Sequence, residues 1–127
     1  MTRFLLVAAG GALGAVARYG VGRILPMGGW PYATLTVNVV GGLVMGLLTG
    51  WLAFRGGASQ EGVRLFAAVG VLGGFTTFSA FSLETALMIE RRQLGLAAAY
   101  VGLSVVLSVA ALFIGLMIAR RAFGAAL

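Results

Sequence analysis

A chain of 127 residues that is 61% hydrophobic and only 9% charged lies far below the roughly 25% charge of soluble domains and reads as a membrane protein. It has no lysine, aspartate, histidine or cysteine, and its carboxylates are Glu61, Glu84 and Glu90 alone, which excludes thiolate nucleophiles, imidazole bases, Cys/His metal clusters and disulfides, so no enzyme is expected. The net charge of +6 comes from arginines at the ends of apolar stretches, as membrane flanks do, and no basic stripe interleaved with aromatics supports nucleic-acid binding.

A membrane-crossing helix needs about 20 mostly apolar residues, and four segments qualify: 4–25, 32–54, 63–89 and 95–119. The first imitates a secretory signal, with Ala15-Val16-Ala17 resembling a cleavage site. Gly10-Gly11 and Gly14 interrupt its apolar run, however, and patterned residues continue through Arg18-Tyr19, so it reads as a retained first span. Pro26-Met27-Gly28-Gly29-Trp30-Pro31 forms a turn with an interfacial tryptophan before the second span. Arg55-Gly56-Gly57-Ala58-Ser59-Gln60-Glu61 is a polar loop, and Glu90-Arg91-Arg92-Gln93 a tight charged turn. Trp51 and Tyr32 fall near span ends, where aromatic belts form. The expected architecture is all-α, with residues 1–127 as a single four-helix transmembrane domain.

The third span carries the strongest signal. Gly73-Gly74-Phe75-Thr76-Thr77-Phe78-Ser79-Ala80-Phe81-Ser82 places two glycines and paired hydroxyls inside an apolar run, which weakens helix propensity there. A helix broken at membrane depth is tolerated where its freed carbonyls are buried or line a cavity, and such breaks recur at ion sites. Phe78 and Phe81 share a face if the helix resumes.

Other polar residues also sit at membrane depth. Asn38 lies mid-span in Thr34-Leu35-Thr36-Val37-Asn38, either as glue between helices or lining water. Tyr100, Ser104 and Ser108 recur every four residues and form a hydroxyl stripe about 12 Å long on one helix face. Arg18 either snorkels to the headgroups or lends positive potential to an aqueous vestibule. Glu84 has three readings: partner of an arginine, gate-side charge, or proton site. Donors thus outnumber fixed charges, and aromatic ring edges carry partial positive charge. Such a lining suits a small anion rather than a cation.

Four crossings put Arg3, Arg55, Arg64, Arg120 and Arg121 on one side and Arg18, Arg23, Arg91 and Arg92 on the other. Orientation follows arginine asymmetry, and five against four specifies none clearly. Two readings stand: dual topology with antiparallel pairing, or one weakly biased orientation. Gly10/Gly14 and Gly42/Gly46/Gly50 allow close helix approach, within one subunit or across an oligomer seam.

Taken together, these residues resemble the Fluc/CrcB family of fluoride ion channels over essentially the whole chain. The resemblance rests on Gly10-Gly11-Ala12-Leu13-Gly14-Ala15-Val16-Ala17-Arg18-Tyr19, on Thr34-Leu35-Thr36-Val37-Asn38 with Gly41-Gly42, and above all on residues 73–82. Ala80 departs from the family, where threonine is common, and Gly42 sits where serine or another small residue is frequent.

The resemblance implies an antiparallel dual-topology homodimer with two fluoride pores in a bacterial cell (inner) membrane. It implies passive efflux of fluoride. It also implies a structural sodium ion at the dimer centre, held by the backbone carbonyls of Gly73 and Thr76. By motif position Asn38, Phe78 and Phe81 line the pore, and Tyr100, Ser104 and Ser108 match the family's polar track on the fourth helix; Arg18 is the vestibule candidate. Fluoride is strongly hydrated, so its passage requires donors that replace its water. Two alternatives compete with this reading. A small dual-topology multidrug exporter needs a buried carboxylate in its first span, and this span has none. A non-transporting assembly subunit leaves Asn38, the hydroxyl stripe and the broken span without joint purpose.

Overall fold

The computed structural model describes residues 1–26, 30–55 and 60–124, without the side chains of Arg55 and Gly124. The expected turn at Met27–Gly29 and most of the loop at 56–59 lie outside the described residues. Helix α1 spans Thr2–Ile24 and α2 spans Tyr32–Arg55. Helix α3 runs over residues 61–75, α4 over Phe78–Glu90, and α5 over Leu94–Ala119 with a wider continuation at Arg120–Gly124. Among the described residues four helical segments are long and apolar enough to cross a membrane: Thr2–Ile24, Tyr32–Phe54, Glu61–Glu90 and Leu94–Phe123. The chain is a multi-pass, all-helical membrane protein, with its third span broken into α3 and α4.

Glycines decide which helices touch. Helix α1 packs along α3, and α2 along α5. A methyl group at Gly10 or Gly14 would collide with the backbone carbonyls of Phe66 or Val71, and one at Gly74 would lie 2.5 Å from Gly11 O. On α2 the same holds for Gly46 against Leu112 O, and for Gly42, where it would lie 2.7 Å from Ser108 O. Both small-residue stripes are therefore consumed inside the subunit. Backbone-to-backbone approach of this kind supplies the dispersion contacts that replace hydrophobic driving force in lipid.

The break falls later than the glycines suggest. Gly73–Phe75 stays helical, whereas Thr76 (φ −84°, ψ 157°) and Thr77 (φ −150°, ψ 123°) are extended. Gly74 is needed for its contact with α1, and the interruption comes where threonine side chains can take over backbone bonds. Thr77 Oγ1 caps α4 by accepting the Ala80 N–H at 3.2 Å, and Thr76 Oγ1 donates back to Leu72 O at 2.9 Å. Before the break, Arg64–Leu72 adopts wide π-helical turns, a local geometry that no residue in 64–72 announces.

After α4 the charged turn closes on Arg92, the one non-glycine residue with positive φ (59°) among those described. Gln93 N–H reaches Met88 O and Arg92 N–H reaches Ile89 O, the paired bonds of a left-handed helix C-cap.

Candidate functional site in the broken span

Breaking a helix inside a membrane frees backbone groups, and every one needs an account. Thr77 N–H, the donor that a continuous helix would send to Gly73 O, is instead accepted by Asn38 Oδ1 at 2.8 Å. Asn38 Nδ2 returns a bond to Thr77 O at 3.0 Å. Asn38 thus grips one residue of the break by both its donor and its acceptor. From the other side Arg18 Nε donates to Gly74 O at 3.1 Å. Ala80 N–H, the helical donor for Thr76 O, is taken by the Thr77 cap. The carbonyls of Gly73 and Thr76 are therefore the two whose ordinary helical donors have been diverted to side chains.

This arrangement bears on two open readings. Arg18 is tied to the break from its own helix, so simple snorkelling to the headgroups does not describe it. Glu84 accepts a hydrogen bond from the Thr34 hydroxyl and has no ion-pair partner among the described residues; the ion pair found there is Arg64 with Glu61 at 3.0 Å on the exposed surface, of a kind that contributes little.

The break borders a cavity of about 430 Å³ lined by Asn38, Thr76, Thr77, Phe78, Phe81, Ser104 and Ser108, with Gly41, Gly42 and apolar side chains of α2 and α5. The structure thus brings together Asn38, both phenylalanines, two serines and Thr76. Phe78 and Phe81 rings lie 5.5 Å apart at 46°. Phe78 is 78% exposed, so this wall of the cavity is on the subunit's surface. Gly73 is not among the lining residues, and Arg18 faces a separate cavity of about 370 Å³ with Tyr19, Arg23, Thr34, Val37, Thr77 and Ala80.

Tyr100 sits beyond the cavity, fully buried, with its ring 5.2 Å from Phe81 and 5.6 Å from Trp30. The hydroxyls of Tyr100, Ser104 and Ser108 are buried without a partner at full hydrogen-bond geometry among the described residues, that of Tyr100 lying beside Thr34 and Glu84. Serines in helices commonly bond back to their own backbone; here the two serines do not. Three unpaired donors in register at membrane depth are costly, and they form a track on which an acceptor would be welcome.

Sequence reasoning missed Thr77 as the cap, Thr34 as the partner of Glu84, and Trp30 as an interior contact of Tyr100 rather than a purely interfacial anchor. The position of Trp30 after a loop gave no signal that its ring turns inward. Among the described residues no cluster of three or more His, Cys, Asp or Glu exists, and the diverted carbonyls of Gly73 and Thr76 are neutral oxygens of the kind a hard monovalent cation takes.

These features define a small four-span membrane protein whose third span is broken around a donor-lined cavity. Residues 5–116 match the family described as CrcB-like protein, Camphor Resistance (CrcB), and the chain belongs to that family. It is 65% identical over 126 residues to a protein of Caulobacter sp. (strain K31) named Fluoride-specific ion channel FluC, with 97% of this chain and 98% of the relative covered. Proteins of the same name from Caulobacter vibrioides (strain NA1000 / CB15N) and Phenylobacterium zucineum (strain HLK1) are 62% and 63% identical, each covering 97% of this chain and 99% of the relative. These relatives are named as ion channels, not as enzymes.

Proposed function

We propose that this protein is a fluoride-selective channel that lets fluoride leave the cell passively across the bacterial inner membrane. The observation that carries this reading is the row of unpaired buried hydroxyls at Tyr100, Ser104 and Ser108 beside the Phe78 and Phe81 rings. A small anion leaving water needs donors at each step, and hydroxyls and aromatic edges supply them without a fixed charge that would trap it. Asn38 keeps one amide hydrogen beyond its bond to Thr77 and adds it to the same wall. The relatives' name, Fluoride-specific ion channel FluC, supports fluoride as the anion. A multidrug exporter is not favoured, because α1 contains Arg3, Arg18 and Arg23 and no carboxylate.

The working unit of this proposal is an antiparallel, dual-topology homodimer with two pores. The near-even arginine split supports mixed insertion, and a cavity walled by the exposed Phe78 needs a second protein surface to exclude lipid. With the glycine stripes consumed within the subunit, the seam falls to the broken span. The carbonyls of Gly73 and Thr76 would hold a structural sodium ion there, which when bound supplies one positive charge between paired helix breaks. Asn38 takes the Thr77 N–H that a continuous helix would send to Gly73 O, and Arg18 occupies the neighbouring Gly74 O. Purified protein in liposomes loaded with potassium fluoride tests the function: with valinomycin added, fluoride should appear outside rapidly, and chloride should not. Vesicles that retain fluoride as well as protein-free ones do would overturn the proposal.

A further inference from the structure

Resting on the reading of the hydroxyl row as an anion path, we propose that Trp30 is the outer gate of that path. The ring of Trp30 packs edge-on against Tyr100 (5.6 Å, 86°), and Tyr100 packs against Phe81 (5.2 Å). The three aromatics form one continuous partition. On its inner side lies the cavity of Asn38, Phe81 and Ser104. On its outer side lies a second cavity of about 330 Å³, lined by Trp30 itself, Glu84, Arg91 and Gln93. Tyr100 lines neither cavity and is fully buried, so the hydroxyl row ends behind a closed wall that Trp30 and Phe81 share with Met88, Leu35 and Leu96. An ion on Tyr100 reaches the outer cavity only when that wall opens.

Trp30 is the member of the wall able to move. Tyr100 is held within α5 and Phe81 within α4, whereas Trp30 lies outside any helix, just before Pro31 and the first turn of α2. Its backbone is anchored, since Tyr32 N–H donates to Trp30 O at 2.9 Å, and Pro31 fixes the following φ. Rotation of the Trp30 side chain therefore withdraws the aromatic cover of Tyr100 on that side, while Met88, Ala97, Leu35 and Leu96 stay packed around it. Beyond it, Arg91 offers positive charge to an emerging anion, and Glu84, held by Thr34, discourages its lingering.

The chain contains no cysteine, so a single thiol tests the gate within one protein preparation. An edge-to-face pair is lost in Trp30→Ala, and the share of open partitions should rise about twofold to tenfold. Fluoride efflux from liposomes should rise in proportion, with Trp30→Phe falling between the parent and Trp30→Ala. Chloride should stay excluded, because Phe78 and Phe81 are untouched; general loosening of the fold would let it through. Trp30→Cys should also conduct faster than the parent. Benzyl methanethiosulfonate, which leaves a mixed disulfide and releases methanesulfinate, should slow it again, and dithiothreitol should reverse the effect. The methyl reagent, carrying no ring, should leave the rate high. Efflux from Trp30→Ala at or below the parent rate, chloride leak, or indifference of Trp30→Cys to benzylation would each overturn the gate while leaving the channel reading intact. A parent protein that passes no fluoride would overturn both.

Discussion

Replacing Asn38 by alanine asks whether the broken span is a built structure or a passive weak point. Asn38 makes two hydrogen bonds to Thr77, at 2.8 Å and 3.0 Å, and alanine leaves the N–H and C=O of that residue without this partner at membrane depth. Each buried group left unsatisfied costs about 1–3 kcal/mol, so the pair costs about 2–6 kcal/mol, the upper end applying where water cannot enter. Thr77→Val removes the cap on Ala80 N–H and an exposed contact with the Ser79 hydroxyl, a loss of about 1 kcal/mol. Titration of the purified protein from mild detergent into dodecyl sulfate, followed by far-UV circular dichroism, gives both free energies. The expected order is parent, then Thr77→Val, then Asn38→Ala, and fluoride efflux should fall most in the last. Asn38→Ala within about 0.5 kcal/mol of the parent, the range of an ordinary surface change, would refute the idea that this side chain holds the break open.

Gly46→Ala should abolish recovery of folded protein, because its new methyl would run into Leu112 O, whereas Gly20→Ala, with nothing within 4 Å, should express normally; size-exclusion profiles separate the two. Phe78→Ile and Phe81→Ile should each cut fluoride efflux at least severalfold while the protein stays monodisperse, since isoleucine keeps apolar bulk and loses the polarised ring edge; near-normal rates in both would make the pair ordinary packing. Sodium, and not the larger potassium, should raise resistance to dodecyl sulfate in a concentration-dependent way. Thr76→Ala should retain that response, because the proposed ligands are main-chain oxygens; identical titrations in the two salts would argue against the ion site.

Much of this architecture is legible in the sequence because membrane helices are written in long apolar runs. The four spans follow from Phe4, Tyr32, Val63 and Gly95 opening such runs, and the structure places helices over each. The interruption near residues 73–82 is equally legible, since two glycines followed by paired hydroxyls weaken a helix wherever they cluster. Its position is not. Whether Gly74 or Thr76 leaves the helix depends on α1 lying against Gly74 and on Asn38 reaching Thr77, contacts between residues 39 to 63 positions apart. The same distance hides the role of Arg18, whose place near the end of an apolar run looks the same whether it snorkels or caps Gly74 O. The glycine stripes announce close approach without saying to what. Trp30 is the least legible of all, because an aromatic at a span end is expected at the interface, and only the partner ring shows that it turns inward.

The central claim, that fluoride itself is the permeating ion, is tested most directly by the reversal potential of the current across a planar bilayer containing the purified protein. With fluoride on both sides at a tenfold concentration difference and chloride balancing the salt, the current should reverse near the fluoride equilibrium potential, about 59 mV from zero for a monovalent ion. Reversal at the chloride potential, or no protein-dependent current in fluoride, would contradict the account.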